Sequence, residues 1–227
     1  MVKSHGGKKM WCVAKIDAEY KQRMHEILDL YAQPLDDQLP VVCFDEKLVE
    51  LRTSPRVGYR KKGVTYRDYE YGRAGTANVF MMTEPRGGRH WVRVTSQRTR
   101  PDFAKALEFL AARYPTAITI HLVMDNLNTH CEAALIHALG RTAARRLWGR
   151  FTVHYTPKHA SWLNQAELAL SVMARMCLGK QLFATQAALR TQVTTFWATQ
   201  RRRQWKINWK WTSANAVTWL KTYESRH

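Results

Sequence analysis

Apolar residues recur at helical spacing near the start of the chain. After Ile16, the residues Tyr20, Met24, Ile27, Leu28 and Tyr31 share one helix face, Asp17 stands where an N-cap belongs, and Pro34 ends the run. Asp36, Asp37 and Pro40 mark a short connector. Val41, Val42, Cys43 and Phe44 form a compact apolar run closed by Asp45, the pattern of a buried strand with a polar end. A basic, glycine-containing stretch occupies 56–75. Strands are predicted over 77–83 and 90–95, with Pro85-Arg86-Gly87-Gly88 as the hairpin turn between them. Pro101 opens a helix on which Phe103, Leu107, Leu110 and Tyr114 share a face, and Pro115 stops it. Residues 117–124 are the most strand-like segment and end in Asp125-Asn126. A helix over 132–139 and a strand over 151–155, closed by Pro157, follow. A long helix is predicted over 161–177, then two more over 185–201 and 213–223, with Thr185 and Ser213 as N-caps.

Three strands followed by alternating helices and strands predict an α/β fold. The order is that of a ribonuclease-H-like mixed five-stranded sheet with flanking helices, here with extra C-terminal helices. Three segments are expected: residues 1–39 as an N-terminal arm and helix, 40–180 as the core, and 181–227 as a basic helical extension.

Composition changes that picture by adding a partner. The 227 residues carry 36 Lys and Arg against 18 Asp and Glu, a formal charge of +18. Residues 1–40 balance to zero, whereas 141–227 carry 15 basic side chains against two acids, Glu167 and Glu224. A surface this positive attracts a polyanion, most commonly nucleic acid. No apolar stretch approaches the roughly 20 residues of a membrane span, and no signal-peptide core follows Met1. Cys12, Cys43, Cys131 and Cys177 are scattered without a CxxC pair, as expected for free thiols in a reducing compartment.

Three acids stand at meaningful places. Asp45 and Asp125 close two strands that a mixed sheet can set side by side, and Glu167 lies on the helix after the last strand. Trp162, Ala166, Ala169, Met173 and Met176 make one apolar stripe on that helix, with Glu167 about 100° from its centre, at the border of the buried face. Three close carboxylates repel one another unless hard divalent cations neutralise them, and two such ions can drive an in-line phosphoryl displacement. Taken singly, each acid also reads as a turn, cap or solvated residue. Glu46, next to Asp45 on a strand, should face the other way.

The strings Asp125-Asn126-Leu127-Asn128-Thr129-His130 and His154-Tyr155-Thr156-Pro157-Lys158-His159-Ala160-Ser161-Trp162-Leu163-Asn164-Gln165-Ala166-Glu167 resemble the catalytic domain of DDE transposases, most closely the bacterial insertion sequence 630 family related to the mariner elements. Val41–Glu46 resembles the segment carrying that family's first Asp. The resemblance implies that Asp45, Asp125 and Glu167 are the catalytic, metal-binding triad, with 41 residues between the second and third acids. It implies Mg²⁺ or Mn²⁺ as cofactor, as two ions, and cleavage at transposon ends followed by strand transfer into target DNA at TA sites. A hydrolytic nuclease without strand transfer, or an inactive DNA-binding remnant, are the alternatives. The implied partners are double-stranded DNA, as transposon ends and target, and a second copy of the chain in a DNA complex. The implied setting is the bacterial cytoplasm, on the nucleoid. Members of that family also carry an N-terminal helix-turn-helix region. About 40 residues precede the first strand here, so the chain is expected to be a truncated copy or the second product of a split reading frame, working with an upstream helix-turn-helix product.

Asn126 and His130 follow Asp125 closely and can orient a carboxylate, water or phosphate; the alternative is a plain turn capped by Thr129. His159 and Asn164 flank the third acid, and the resemblance implies a supporting role for both. Trp162 reads as core in preference to a base-stacking platform. Arg201, Arg202, Arg203, Lys206 and Lys210, interleaved with Trp205, Trp209 and Trp211, are candidate DNA contacts, as are Lys158 and the cluster Arg56, Arg60, Lys61 and Lys62.

Overall fold

The computed structural model describes residues 16–54, 59–66, 70–179 and 181–224. The expected N-terminal arm over 1–15, Cys12, Arg56 and the side chain of Arg60 lie outside the described residues. Helix α1 (Ala18–Ala32) begins where expected, with Asp17 Oδ1 accepting from Tyr20 N at 2.9 Å. Strand β1 (Val41–Thr53) is followed by a two-stranded ribbon, β2 (Tyr59–Lys61) and β3 (Val64–Tyr66), then β4 (Gly72–Glu84) and β5 (Arg89–Thr95). Helix α2 (Arg100–Ala111), strand β6 (Ile120–Met124), helices α3 (Glu132–Leu139) and α4 (Arg141–Trp148), and strand β7 (Phe151–Tyr155) complete the α/β core. A 3₁₀ turn (Ser161–Leu163), helix α5 (Ala166–Val172), a π-helical turn (Met173–Leu178), and helices α6 (Gln186–Arg202) and α7 (Ser213–Glu224) close the chain.

The five-stranded sheet runs β5-β4-β1-β6-β7. Antiparallel pairing joins β1 to β4 and β4 to β5, and parallel pairing joins β1 to β6 and β6 to β7. This is the expected mixed sheet, with the first and fourth of its strands adjacent. Alternation along β1 divides two cores. Val42 and Phe44 pack with α2, α3 and α4, through Phe103, Leu107, Leu110, Leu135 and Ala144. Cys43 faces α1, α5, α6 and α7, through Met24, Ile27, Ala169, Val193, Trp197 and Leu220. Strands β1 and β6 are covered on both faces, so they read in sequence as unbroken apolar runs.

The structure corrects four expectations. Asp45 does not end its strand: β1 continues to Thr53, paired only with β4 and bulged between Glu50 and Arg52, and this less-covered ribbon lacks the apolar run that marks a buried strand. Residues 161–177 are not one helix. Asn164 is extended (φ −78°, ψ 107°) because its amide donates to Phe44 O and its Oδ1 accepts from Ala166 N. The break and the wider π turn reset the helical phase, so Ala166, Ala169 and Met173 are buried while Trp162 and Met176 are exposed and Cys177 turns inward. Helix α4, Arg-rich and with Ala144 as its buried residue, was not expected. Thr212, and not Ser213, caps α7: Thr212 N donates to Asn215 Oδ1 at 2.9 Å and Asn215 N returns to Thr212 Oγ1 at 3.3 Å. Ser213 instead donates to Asp29 Oδ1 on α1. Thr185 caps α6 as expected, accepting from Ala188 N at 3.1 Å.

The open edge of β5 is covered by α6 side chains. Gln186 and Arg190 donate to Val94 O, and Arg201 donates to His90 O. Cys43 and Cys177 are buried free thiols and Cys131 is a half-buried one. Burial pushes the Cys43 thiol up to about 12, which leaves it unreactive. No helix among the described residues is long and apolar enough to cross a membrane.

Candidate active site

The parallel register of β1 and β6 aligns Val41 with His121, Val42 with Leu122 and Cys43 with Val123. That pairing stops two residues short of Asp45 and Asp125, which stand at the same end of the parallel pair, with Asp45 on the sheet face to which Cys43 also points. Glu167 lies in the first turn of α5, half-buried, and α5 packs on that same face. The Asn164 bond to Phe44 O, 2.8 Å, fixes the start of α5 against β1 one residue from Asp45.

Electrostatics couples these acids. Burial pushes the Asp45 carboxyl from its ordinary value up to about 7, and the neighbouring Glu167 charge adds to it. The Glu46 N–H bond to Asp45 Oδ1, 2.8 Å, opposes that rise, while the Glu46 and Asp125 charges add to it. All three candidate acids therefore share one electrostatic neighbourhood. They do not stand as a ready cage: among the described residues, no three His, Cys, Asp or Glu side chains are grouped so as to hold a metal ion. Asp125 Oδ1 is instead engaged by His130 Nδ1 at 2.6 Å. The donor set is all carboxylate oxygen and carries mutual repulsion, which is the chemistry that suits a hard divalent cation.

His130 is buried against Phe44 and Phe103, with ring centroids 5.6 and 4.9 Å away. Burial favours its neutral form, but the Asp125 hydrogen bond and the Glu46 carboxylate outweigh it and raise His130 to about 9. Glu46 Oε2 lies 3.3 Å from His130 Nε2, outside hydrogen-bond geometry and with no other hydrogen-bond partner. Glu46 does face away from Asp45, as alternation requires. Yet it meets the site from beneath, through His130. Sequence reading missed this role, although an imidazole five residues after an acid needs a partner for its second nitrogen.

The structure sorts the remaining candidates. Asp125, Asn126, Lys158, His159 and Ser161 line a groove of about 730 Å³ whose other wall is α1, with Asp17, Tyr20 and Arg23. His159 adopts φ +63°, a left-handed turn beside that groove. Asn164 is buried, with both ends of its amide bonded, so it braces the fold and cannot reach a phosphate. Thr129 caps nothing; α3 starts after Cys131. Trp162 is not core: it is 42% exposed. Arg201 is held on His90 O, whereas Arg202, Arg203, Lys206 and Lys210 are exposed, as are Lys61 and Lys62 at the β2–β3 turn.

A family model described as a DDE superfamily endonuclease matches residues 40–190. No curated protein matches the chain. Among solved structures, the chain is similar to the Mos1 mariner paired-end complex with Mn, at 13% identity and a TM-score of 0.56, over 90% of this chain and 62% of that one. It is similar to the Mos1 strand transfer complex at 14% identity and a TM-score of 0.56, over 90% and 61% of the two chains. The chain thus spans less than two thirds of the Mos1 chains whose fold it shares.

Proposed function

Since the chain belongs to the DDE superfamily endonucleases, we propose that it is the catalytic domain of a transposase of the insertion sequence 630 and mariner-related type. In this reading residues 40–180 form the catalytic core, and 181–227 add basic surface for DNA. The observation that supports it is that Asp45 feels the charges of Glu167 and Asp125, at the end of the β1–β6 parallel pair. Likeness to complexes of Mos1 with transposon ends and in strand transfer supports DNA as the substrate.

Asp45, Asp125 and Glu167 would hold Mg²⁺ or Mn²⁺, as two ions. When bound, the cations supply a polarised nucleophile and stabilise the leaving oxygen of an in-line displacement. The chain's own residues do the rest. His130, kept charged by the nearby Glu46 carboxylate, holds the Asp125 carboxylate in one orientation. Lys158 and His159 stand in the groove where a scissile phosphate would lie, and Lys158 offsets its charge. The alkyl and aromatic surface beneath Asp45 keeps bulk water from that side of the carboxylates. Water attacks at an element end and frees a 3′-OH, and that hydroxyl attacks target DNA at a TA step. A second copy of the chain and an upstream helix-turn-helix product complete the DNA complex.

The test is cleavage and strand transfer on DNA carrying the element ends, with the end-binding product supplied and Mg²⁺ or Mn²⁺ present. Asp125→Asn, Asp45→Asn and Glu167→Gln should each lower both reactions by on the order of 10³-fold, with double variants little worse, while DNA affinity is retained. Full cleavage by Asp125→Asn overturns the reading, and full cleavage by Glu167→Gln alone removes Glu167 from the triad. Cleavage without joining of a pre-cut end would leave a hydrolytic nuclease.

A further inference from the structure

Four aromatic rings form a ladder that leads away from the groove at Asp125. Trp162 sits next to Ser161, which lines that groove. It stands beside Tyr20, which lines the same groove from α1. Trp162 meets Trp211 edge to face at 5.0 Å, Trp211 meets Trp219 at 6.3 Å, and Trp219 stacks on Tyr223 at 5.7 Å. The rings come from three separate segments, the turn before α5, the strap before α7, and α7 itself. Trp219, like Trp162, stays about 40% exposed. Indole is among the most costly side chains to leave in water, so two of them in one contiguous row mark a contact surface.

We propose that this ladder is a stacking platform for unpaired bases of the DNA, a single-stranded stretch that leaves the groove beside Asp125; the proposal rests on the DNA-cleaving reading above. Charge selects the partner. From 168 to 223 the sequence contains no Asp or Glu, and Lys210 and Lys221 lie one and two residues from Trp211 and Trp219. An apolar anchor on another protein would need no such uniform sign, whereas a polyanionic strand does. Ring geometry selects the strand form. Bases in a duplex already cover each other's faces, so only unstacked bases can lie on an indole, and every base presents a face regardless of sequence. The continuity of the row with the groove makes the strand freed by cleavage its natural occupant.

The test needs no metal and no cleavage. Binding of a labelled oligothymidylate of about a dozen nucleotides and of a duplex of the same length is measured by anisotropy with the full chain in chelator. Trp162→Leu and Trp219→Leu should each weaken single-strand binding about tenfold and leave duplex binding unchanged, while Trp162→Phe and Trp219→Phe keep most of it. Far-UV circular dichroism checks that the variants are folded, and the Phe pair decides the matter where a Leu variant is not. Equal losses on both forms of DNA, or no loss on either, overturn the platform. So does loss of self-association in Trp219→Leu, which would make the row an interface between copies. Ladder-dependent binding by a chain that does not cleave would overturn the nuclease reading and keep the platform; cleavage with ladder-independent binding would do the reverse.

Discussion

Glu46 and His130 meet beneath the sheet end, carboxylate to imidazole at 3.3 Å, while the other ring nitrogen of His130 holds Asp125 at 2.6 Å. The Glu46 side chain is only 4% exposed, so its charge acts in a poorly screened setting, with Arg98 at 3.4 Å as its other ion partner. Two acids on either side of the imidazole keep it protonated, and its bond to Asp125 then orients that carboxylate. Glu46→Gln preserves the shape and removes the charge. It should lower cleavage about 10–100-fold with DNA affinity unchanged. A shift of the metal concentration needed for half-maximal cleavage, with no fall in thermal stability, is the readout that a merely structural role would not give.

Much of this site is legible along the chain, and the failures have physical causes. Strand 151–155 and helix 132–139 match the predicted bounds because each carries its own apolar period between clear stops. The adjacency of β1 and β6, which brings Asp45 and Asp125 to one end of the sheet, follows from strand order. Asn164 breaks the expected helix through a bond to Phe44 O, 120 residues away in sequence, and no local pattern encodes that. Trp162 turned outward for the same reason, since the break reset its phase. Alternation puts Glu46 on the far face, but that face is occupied by His130, which the loop after β6 folds underneath.

The hairpin between β4 and β5 requires glycine at one position. Gly88 has φ +66°, and a Cβ there would lie 2.9 Å from Trp205 O in the strap that follows α6. That same carbonyl accepts from His90 Nε2 at 2.8 Å, so the strap cannot retreat without losing a buried bond. Gly88→Ala should cost about 1–3 kcal/mol of unfolding free energy, read by denaturant titration. Gly63, which also has positive φ but has nothing within 4 Å of an added Cβ, should cost less on the same change.

His90 makes stability fall in mild acid. Its ring packs in a triangle with Trp197 and Trp205, with centroids 4.8 and 5.0 Å away. Burial depresses its pKa from 6.5 to about 4; the Trp205 carbonyl opposes this and the Arg201 charge assists it. Because Nε2–H donates to that carbonyl, Nδ1 accepts from the Thr83 hydroxyl. The folded value lies below the unfolded one, so the unfolded chain takes up the proton first. The stability linked to His90 is present above pH 6.5 and is lost as pH falls toward 4, by up to about 3 kcal/mol. His90→Phe should be less stable at neutral pH, yet show a shallower decline between pH 6.5 and 5. An equal slope in both proteins would mean that His90 is not held neutral.

Asp45 gives the opposite sign, and the difference bears on the chemistry. Its folded value, about 7, lies above its ordinary 3.8, because burial and then the Glu167 charge disfavour the carboxylate. Between those values the folded chain holds a proton that the unfolded chain has lost, so stability declines as pH rises from about 4 to 7 and stays low above that. Asp45→Asn keeps an oxygen to accept from Glu46 N and removes the charge. It should therefore stabilise the metal-free protein by about 2–4 kcal/mol at pH 8 and by little at pH 4. A divalent cation removes the same repulsion from the other side. Millimolar Mg²⁺ or Mn²⁺ should raise the melting temperature of the wild-type chain at pH 8 and do much less for Asp45→Asn, since an ion that binds only the folded state stabilises it by mass action. The variant that melts highest without metal would then be the one that cannot cleave. If Asp45→Asn is instead less stable than wild type at pH 8, the carboxylate is not under the strain described, and the metal response in the wild type would have to come from Asp125 and Glu167 alone.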